Sequence, residues 1–116
     1  MGGGRGPALR EVPAVLMRFD VHRVAGSDVT LALKVQSDFH DHLDTCVVVP
    51  LIPLARTKMK PALRLQPVFN VAGQPYMLAT PALASVPVGD LGDRVGSLAD
   101  QHSVIVDALD FLFQGF

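Results

Sequence analysis

Seven prolines fall between Pro50 and Pro87, and a segment so punctuated cannot hold a helix of ordinary length. Proline removes a backbone donor and blocks helix interiors, and in a sheet it is confined to edges, strand starts and bulges. Short strands joined by turns are what remains. Upstream, Arg18-Phe19-Asp20-Val21-His22 alternates, Ala25-Gly26-Ser27-Asp28 has turn chemistry, and Val29–Val35 resumes with apolar residues at odd positions, which predicts a hairpin. A polar loop over 36–44 leads to a β-branched strand at Cys46–Val49, with Pro50 and Pro53 marking its end or a sheet edge. Arg56-Thr57-Lys58-Met59-Lys60 is a basic connector. Leu63–Gln66 and Pro67–Val71 read as strands before the turn Ala72-Gly73-Gln74-Pro75, across which Tyr76–Thr80 pairs back. Pro87 limits Ala82–Val88 to an edge.

The period then changes. Leu98, Val104, Ile105, Ala108, Leu109, Leu112 and Phe113 recur at three and four, as one face of a helix requires. Ser97 with Asp100 resembles a capping box, and Gly115 is placed as a helix stop. Val106 and Phe111 lie off the stripe, a second apolar face that favours an oligomer or a partner. The pattern predicts a mainly β protein of five or more antiparallel strands, curled into a sheet or barrel, with one C-terminal helix. The last residues, Phe111-Leu112-Phe113-Gln114-Gly115-Phe116, either seal the core or meet a partner.

The 116 residues suit one domain. A net charge of −1 removes the long-range positive field with which nucleic-acid binders gather phosphates, although a local basic patch stays open. No apolar run approaches the roughly 20 residues that span a bilayer. The single cysteine, Cys46, sits in an apolar run and reads as a buried thiol in a reducing compartment, the cytoplasm. Residues 1–16 read as a flexible glycine-rich leader, which leaves open a natural extension, a misplaced start codon with Met17 as the second candidate, or a cloning remnant.

No P-loop, nucleophile elbow, paired-cysteine site or HExxH helix is present. The richest polar cluster is Asp38-Phe39-His40-Asp41-His42-Leu43-Asp44. Imidazole and carboxylate together can hold zinc, but ordinary loop chemistry accounts for this spacing as well. Ribonuclease chemistry would draw on His40 or His42 as base, Arg56 or Arg64 for the phosphate and Asp38 to orient the base. Ser37 and Asp38 are also suited to capping a turn.

Three stretches share an order and spacing with one family. Val35-Gln36-Ser37-Asp38 with Asp41, then Val48-Val49-Pro50-Leu51, then Ala84-Ser85-Val86-Pro87-Val88 resemble the CcdB toxins. Weaker echoes are Leu65, Pro67, Val68, Gly73, Leu91-Gly92, Asp107, Ala108, Leu112, Phe113 and Gly115, so the resemblance covers 17–116. It implies a homodimer with an SH3-like, CcdB-type antiparallel barrel, a small side sheet and a C-terminal helix. It further implies a toxin of a type II toxin–antitoxin system that is not an enzyme and has no catalytic residues, cofactor or metal. Such toxins bind the A subunit of DNA gyrase and trap the cleaved-DNA complex. A CcdA-like antitoxin neutralises them, and the toxin–antitoxin complex represses its own operon, touching DNA only through the antitoxin.

The family register places gyrase binding on Gln114, Gly115 and Phe116, and a target or antitoxin contact on Ser37, Phe39, His40, Asp110 and Phe113. Three positions depart from the pattern: Gln114 and Phe116 stand where the family's terminal Trp-Gly-Ile has tryptophan and isoleucine, and His40 stands where the family is aliphatic. Two alternatives remain, a barrel-fold endoribonuclease toxin and a decayed homologue that binds antitoxin but not gyrase.

Overall fold

A computed structural model describes residues 16–58 and 60–116. The leader expected over 1–16 lies outside the described residues except for Leu16. Seven strands form one antiparallel sheet: β1 (Asp20–Val24), β2 (Leu31–Lys34), β3 (Thr45–Pro53), β4 (Val68–Val71), β5 (Gln74–Leu78), β6 (Ala84–Pro87) and β7 (Leu91–Ser97), followed by helix α1 (His102–Gln114). The path through the sheet runs β4-β5-β3-β2-β1-β7, with β6 paired to β3.

β3 organises the fold. The proline signal predicts a strand that ends by Pro50 or lies at an edge, whereas β3 runs nine residues through Pro50 and is paired on both sides. On one side it pairs with β2 throughout Val48–Leu51; on the other, β6 covers Thr45–Val48 and β5 covers Leu51–Pro53. The Pro50 carbonyl accepts from the Ala79 N–H at 2.8 Å, so its missing N–H faces the gap where β5 has ended and β6 has not begun. A proline costs the ladder least there.

Alternation along β2 and β3 sorts side chains to two faces. Leu31, Leu33, Val49 and Leu51 join Phe19, Val21, Phe69, Val71 and Leu78 in the main core, which Leu98 and Ile105 of the helical end close. Ala32, Cys46 and Val48 form a smaller cluster on the other face, flanked by Val24, Val86, Val88 and Leu91. Burial of both faces is why β2 reads as a continuous apolar run broken only by Lys34.

Ala72 (φ 51°) and Gly73 (φ 83°) make the two-residue turn between β4 and β5, which is tighter than the four-residue turn predicted. Both positions need left-handed angles, and alanine is the poorer fit. Ala72→Asn is therefore expected to raise stability by about 0.5–1 kcal/mol in a urea melt.

Two further expectations are corrected and one strand is added. Leu63–Gln66 is a turn, closed by the Gln66 N–H to the Ala62 carbonyl (2.7 Å) and the Ala62 N–H to Gln66 Oε1 (3.1 Å), because a side chain four residues on satisfies the backbone locally. Leu91–Ser97 is a strand that the sequence reading left unassigned, its glycines and charges masking the alternation. Ser97 Oγ accepts from the Ala99 N–H (3.1 Å) at the head of a short 3-10 turn, so α1 starts at His102 without a capping box.

Candidate functional site

Two surfaces carry the residues that the family register marks. The first is the loop between β2 and β3. Ser37 Oγ accepts from the Phe39 N–H (3.1 Å) and starts a single 3-10 turn over Asp38–His40. That turn thrusts Phe39 outward, 85% exposed, with only the His40 ring against its edge (5.6 Å between centroids).

The loop is anchored by Lys34, which the sequence reading passed over as the polar residue of a strand. Lys34 is 1% exposed, and its Nζ donates to Asp38 Oδ1 (2.8 Å), Asp41 Oδ1 (2.6 Å) and the Leu16 carbonyl. Three donors meet three acceptors, which is what a buried ammonium requires. Asp38 Oδ1 also accepts from the Arg18 N–H (2.7 Å), and Arg18 Nε donates to the Val35 carbonyl (3.0 Å), so the knot joins the chain before β1 to the loop. The spacing Lys34, Asp38, Asp41 was visible in the sequence; that the lysine faces inward was not.

Beside the knot, a cleft of about 580 Å³ runs between the loop and the turn at Val88–Gly89, with Asp41, His42, Asp44 and Cys46 on its walls. Burial pushes the Cys46 thiol up, with a minor opposing pull from Lys34. A thiol held protonated and shielded is a poor nucleophile. Cys46 should react with a thiol-directed disulfide reagent at least about tenfold more slowly in the native protein than in denaturant.

The second surface is the end of α1. Gly115 is left-handed (φ 81°, ψ 12°), and its N–H returns to the Phe111 carbonyl at 2.9 Å. The helix stops there as predicted; Phe113 (70% exposed) stands on its last turn and Phe116 (75% exposed) lies beyond it, with Asp110 and Gln114 also open to solvent. Ser37, Phe39 and His40 share one turn, and Asp110, Phe113, Gln114, Gly115 and Phe116 share one helix end. Among the described residues the two groups make no hydrogen bond, ion pair or ring contact with each other.

The ribonuclease set is not assembled. His40 and His42 are neighbours, with ring centroids 6.4 Å apart, but Arg56 and Arg64 follow the opposite end of β3. Arg64 is engaged elsewhere, in a two-pronged ion pair with Asp107 at 3.0 and 3.2 Å. Among the described residues, no group of three His, Cys, Asp or Glu side chains is placed to hold a metal ion, and no helix is long and apolar enough to cross a membrane.

A curled antiparallel sheet closed by one C-terminal helix defines a small half-barrel of the CcdB and MazF type. The family model described as CcdB protein matches residues 18–115, and the chain belongs to the CcdB family. That membership supports a toxin of a toxin–antitoxin system. Solved structures share the fold. The Mycobacterium tuberculosis toxin MazF-mt6 is 22% identical with a TM-score of 0.65, over 81% of this chain and 95% of that one. An endoribonuclease in complex with its cognate antitoxin, from a mycobacterial species, is 18% identical with a TM-score of 0.68, over 85% of this chain and 95% of that one. A further mycobacterial endoribonuclease is 21% identical with a TM-score of 0.60, over 84% of this chain and 89% of that one.

These neighbours overturn one expectation, that the chain is not an enzyme. Endoribonucleases are built on the same half-barrel, and a scaffold of this kind does not decide between catalysis and binding, because the chemistry resides in the loops it presents.

Proposed function

We propose that this protein is a homodimeric, cytoplasmic toxin that inhibits DNA gyrase by binding its A subunit through the helix tip and trapping the cleaved-DNA complex. A CcdA-like antitoxin neutralises it, and the pair represses its own operon. The observation that carries this reading is the left-handed Gly115 cap, which ends α1 and leaves Phe113 and Phe116 facing solvent. Aromatic side chains held on a rigid helix end are suited to anchoring a protein interface, since they bury much area at little entropic cost. In a symmetric dimer each tip is presented twice, which fits a two-fold symmetric target. The Phe39 turn, locked by Lys34, supplies a second anchor for target or antitoxin.

A second reading, RNA cleavage, is favoured by the fold shared with endoribonucleases. One experiment separates the two. Purified protein is assayed for binding to an immobilised gyrase A fragment and, in parallel, for cleavage of a mixed RNA substrate. Gyrase binding without cleavage supports the proposal. RNA cleavage without gyrase binding replaces it by the second reading, and neither activity marks a decayed toxin.

A further inference from the structure

The segments that flank β3 carry opposite charges. No acidic residue lies between Asp44 and Asp90, and that stretch contains Arg56, Lys58, Lys60 and Arg64. Asp38, Asp41 and Asp44 precede the strand and the four cations follow it, so nine extended residues, about 30 Å, keep the two signs apart.

Arg64 fixes the basic end. Its guanidinium grips both Asp107 oxygens and lies 4.3 Å from the centre of the Phe111 ring, which clasps the segment onto α1. Asp107 neutralises Arg64 in doing so. Arg56, Lys58 and Lys60 are exposed, and none has an ion-pair partner among the described residues. Surfaces ordinarily intersperse both signs; here three cations fall within five residues of a segment that contains no acid.

We propose that the cations of the segment 54–66 dock on the phosphate backbone of duplex DNA, a direct contact that departs from the antitoxin-only DNA contact the family resemblance implies. Cations arranged without acids bind phosphates by releasing condensed counterions, and need no sequence readout. Single-stranded RNA is a poorer fit, because its recognition uses aromatic or histidine faces on which unstacked bases lie. Residues 54–66 contain neither an aromatic nor a histidine. The surface stands on its own charges and does not depend on gyrase being the target.

The test is fluorescence anisotropy with a labelled duplex of arbitrary sequence, using the full chain between about 50 and 200 mM salt. Three phosphate contacts predict a slope of log K against log salt of about −2.7, and the R56Q/K58Q/K60Q variant should bring it close to zero. R23Q, which removes an exposed cation from β1, should leave the slope unchanged, and deletion of Phe116 should leave duplex binding intact even if it abolishes gyrase binding. Thermal melts confirm that the triple variant is folded. The proposal is overturned if wild type does not bind duplex at the lowest salt, if the triple variant keeps the wild-type slope, or if a single-stranded RNA of equal length binds more tightly than the duplex.

Discussion

Replacing Asp38 and Asp41 together by asparagine should cost about 3 kcal/mol of folding stability, whereas Lys34→Met should cost no more than about 1 kcal/mol. The asymmetry follows from where the charges lie. Lys34 is sealed in, so removing its partners strands an ammonium in a low-dielectric site, and such losses run to about 3–5 kcal/mol. The carboxylates are 41% and 45% exposed, so water can take over part of their role and the lower end of that range applies. Methionine fills the same channel without charge and lets both carboxylates rehydrate. For a domain of this size the double variant should melt more than about 10 °C below wild type. If Lys34→Met proves the more damaging of the two, the ammonium is not the buried party and the account of the knot is wrong.

The same knot has a pH signature. Burial by itself would push the Lys34 ammonium down, but hydrogen bonds to the Asp38 and Asp41 carboxylates outweigh it and hold the group above the ordinary lysine value of 10.5. A group whose folded value is raised contributes fully below its unfolded value and fades as pH climbs through the folded one. The gap in melting temperature between wild type and Lys34→Met should stay flat from neutral pH to about 10 and narrow above 10.5.

Elements governed by local chemistry were legible in the sequence, and those governed by long-range partners were not. The first hairpin, the β4–β5 turn and the helix stop at Gly115 each rest on residues close in sequence, and each is found, although the β4–β5 turn closes over two residues instead of four. β3 was misjudged because a proline's tolerance depends on which strand lies opposite, and the gap between β5 and β6 is created by residues about 30 positions downstream. Lys34 was missed for a similar reason: alternation assigns it to a face, but only the fold shows that this face is covered. The candidate residues Ser37, Phe39, His40, Asp110 and Phe113 came from family register, and their exposure on one turn and one helix end could not have been read from periodicity.

Deleting Phe116 should weaken binding to a gyrase A fragment by roughly 30-fold, the equivalent of about 2 kcal/mol for an aromatic anchor at the centre of an interface. Restoring a ring at the neighbouring position, Gln114→Trp, should strengthen binding by a similar factor, since an indole adds apolar area and a face on which a target cation can stack. Neither change touches the core. Gln114 and Phe116 are exposed and lie at or beyond the helix stop, so stability should move by less than about 0.5 kcal/mol. Opposite effects on binding at constant stability are a signature that core damage cannot imitate. Lethality on induced expression should follow the same order, with Gln114→Trp the most toxic and the Phe116 deletion the least. Should the deletion kill as efficiently as wild type while Gln114→Trp leaves gyrase affinity unmoved, the tip is not the contact surface. The poisoning activity would then have to be sought at the Phe39 turn, or in RNA cleavage.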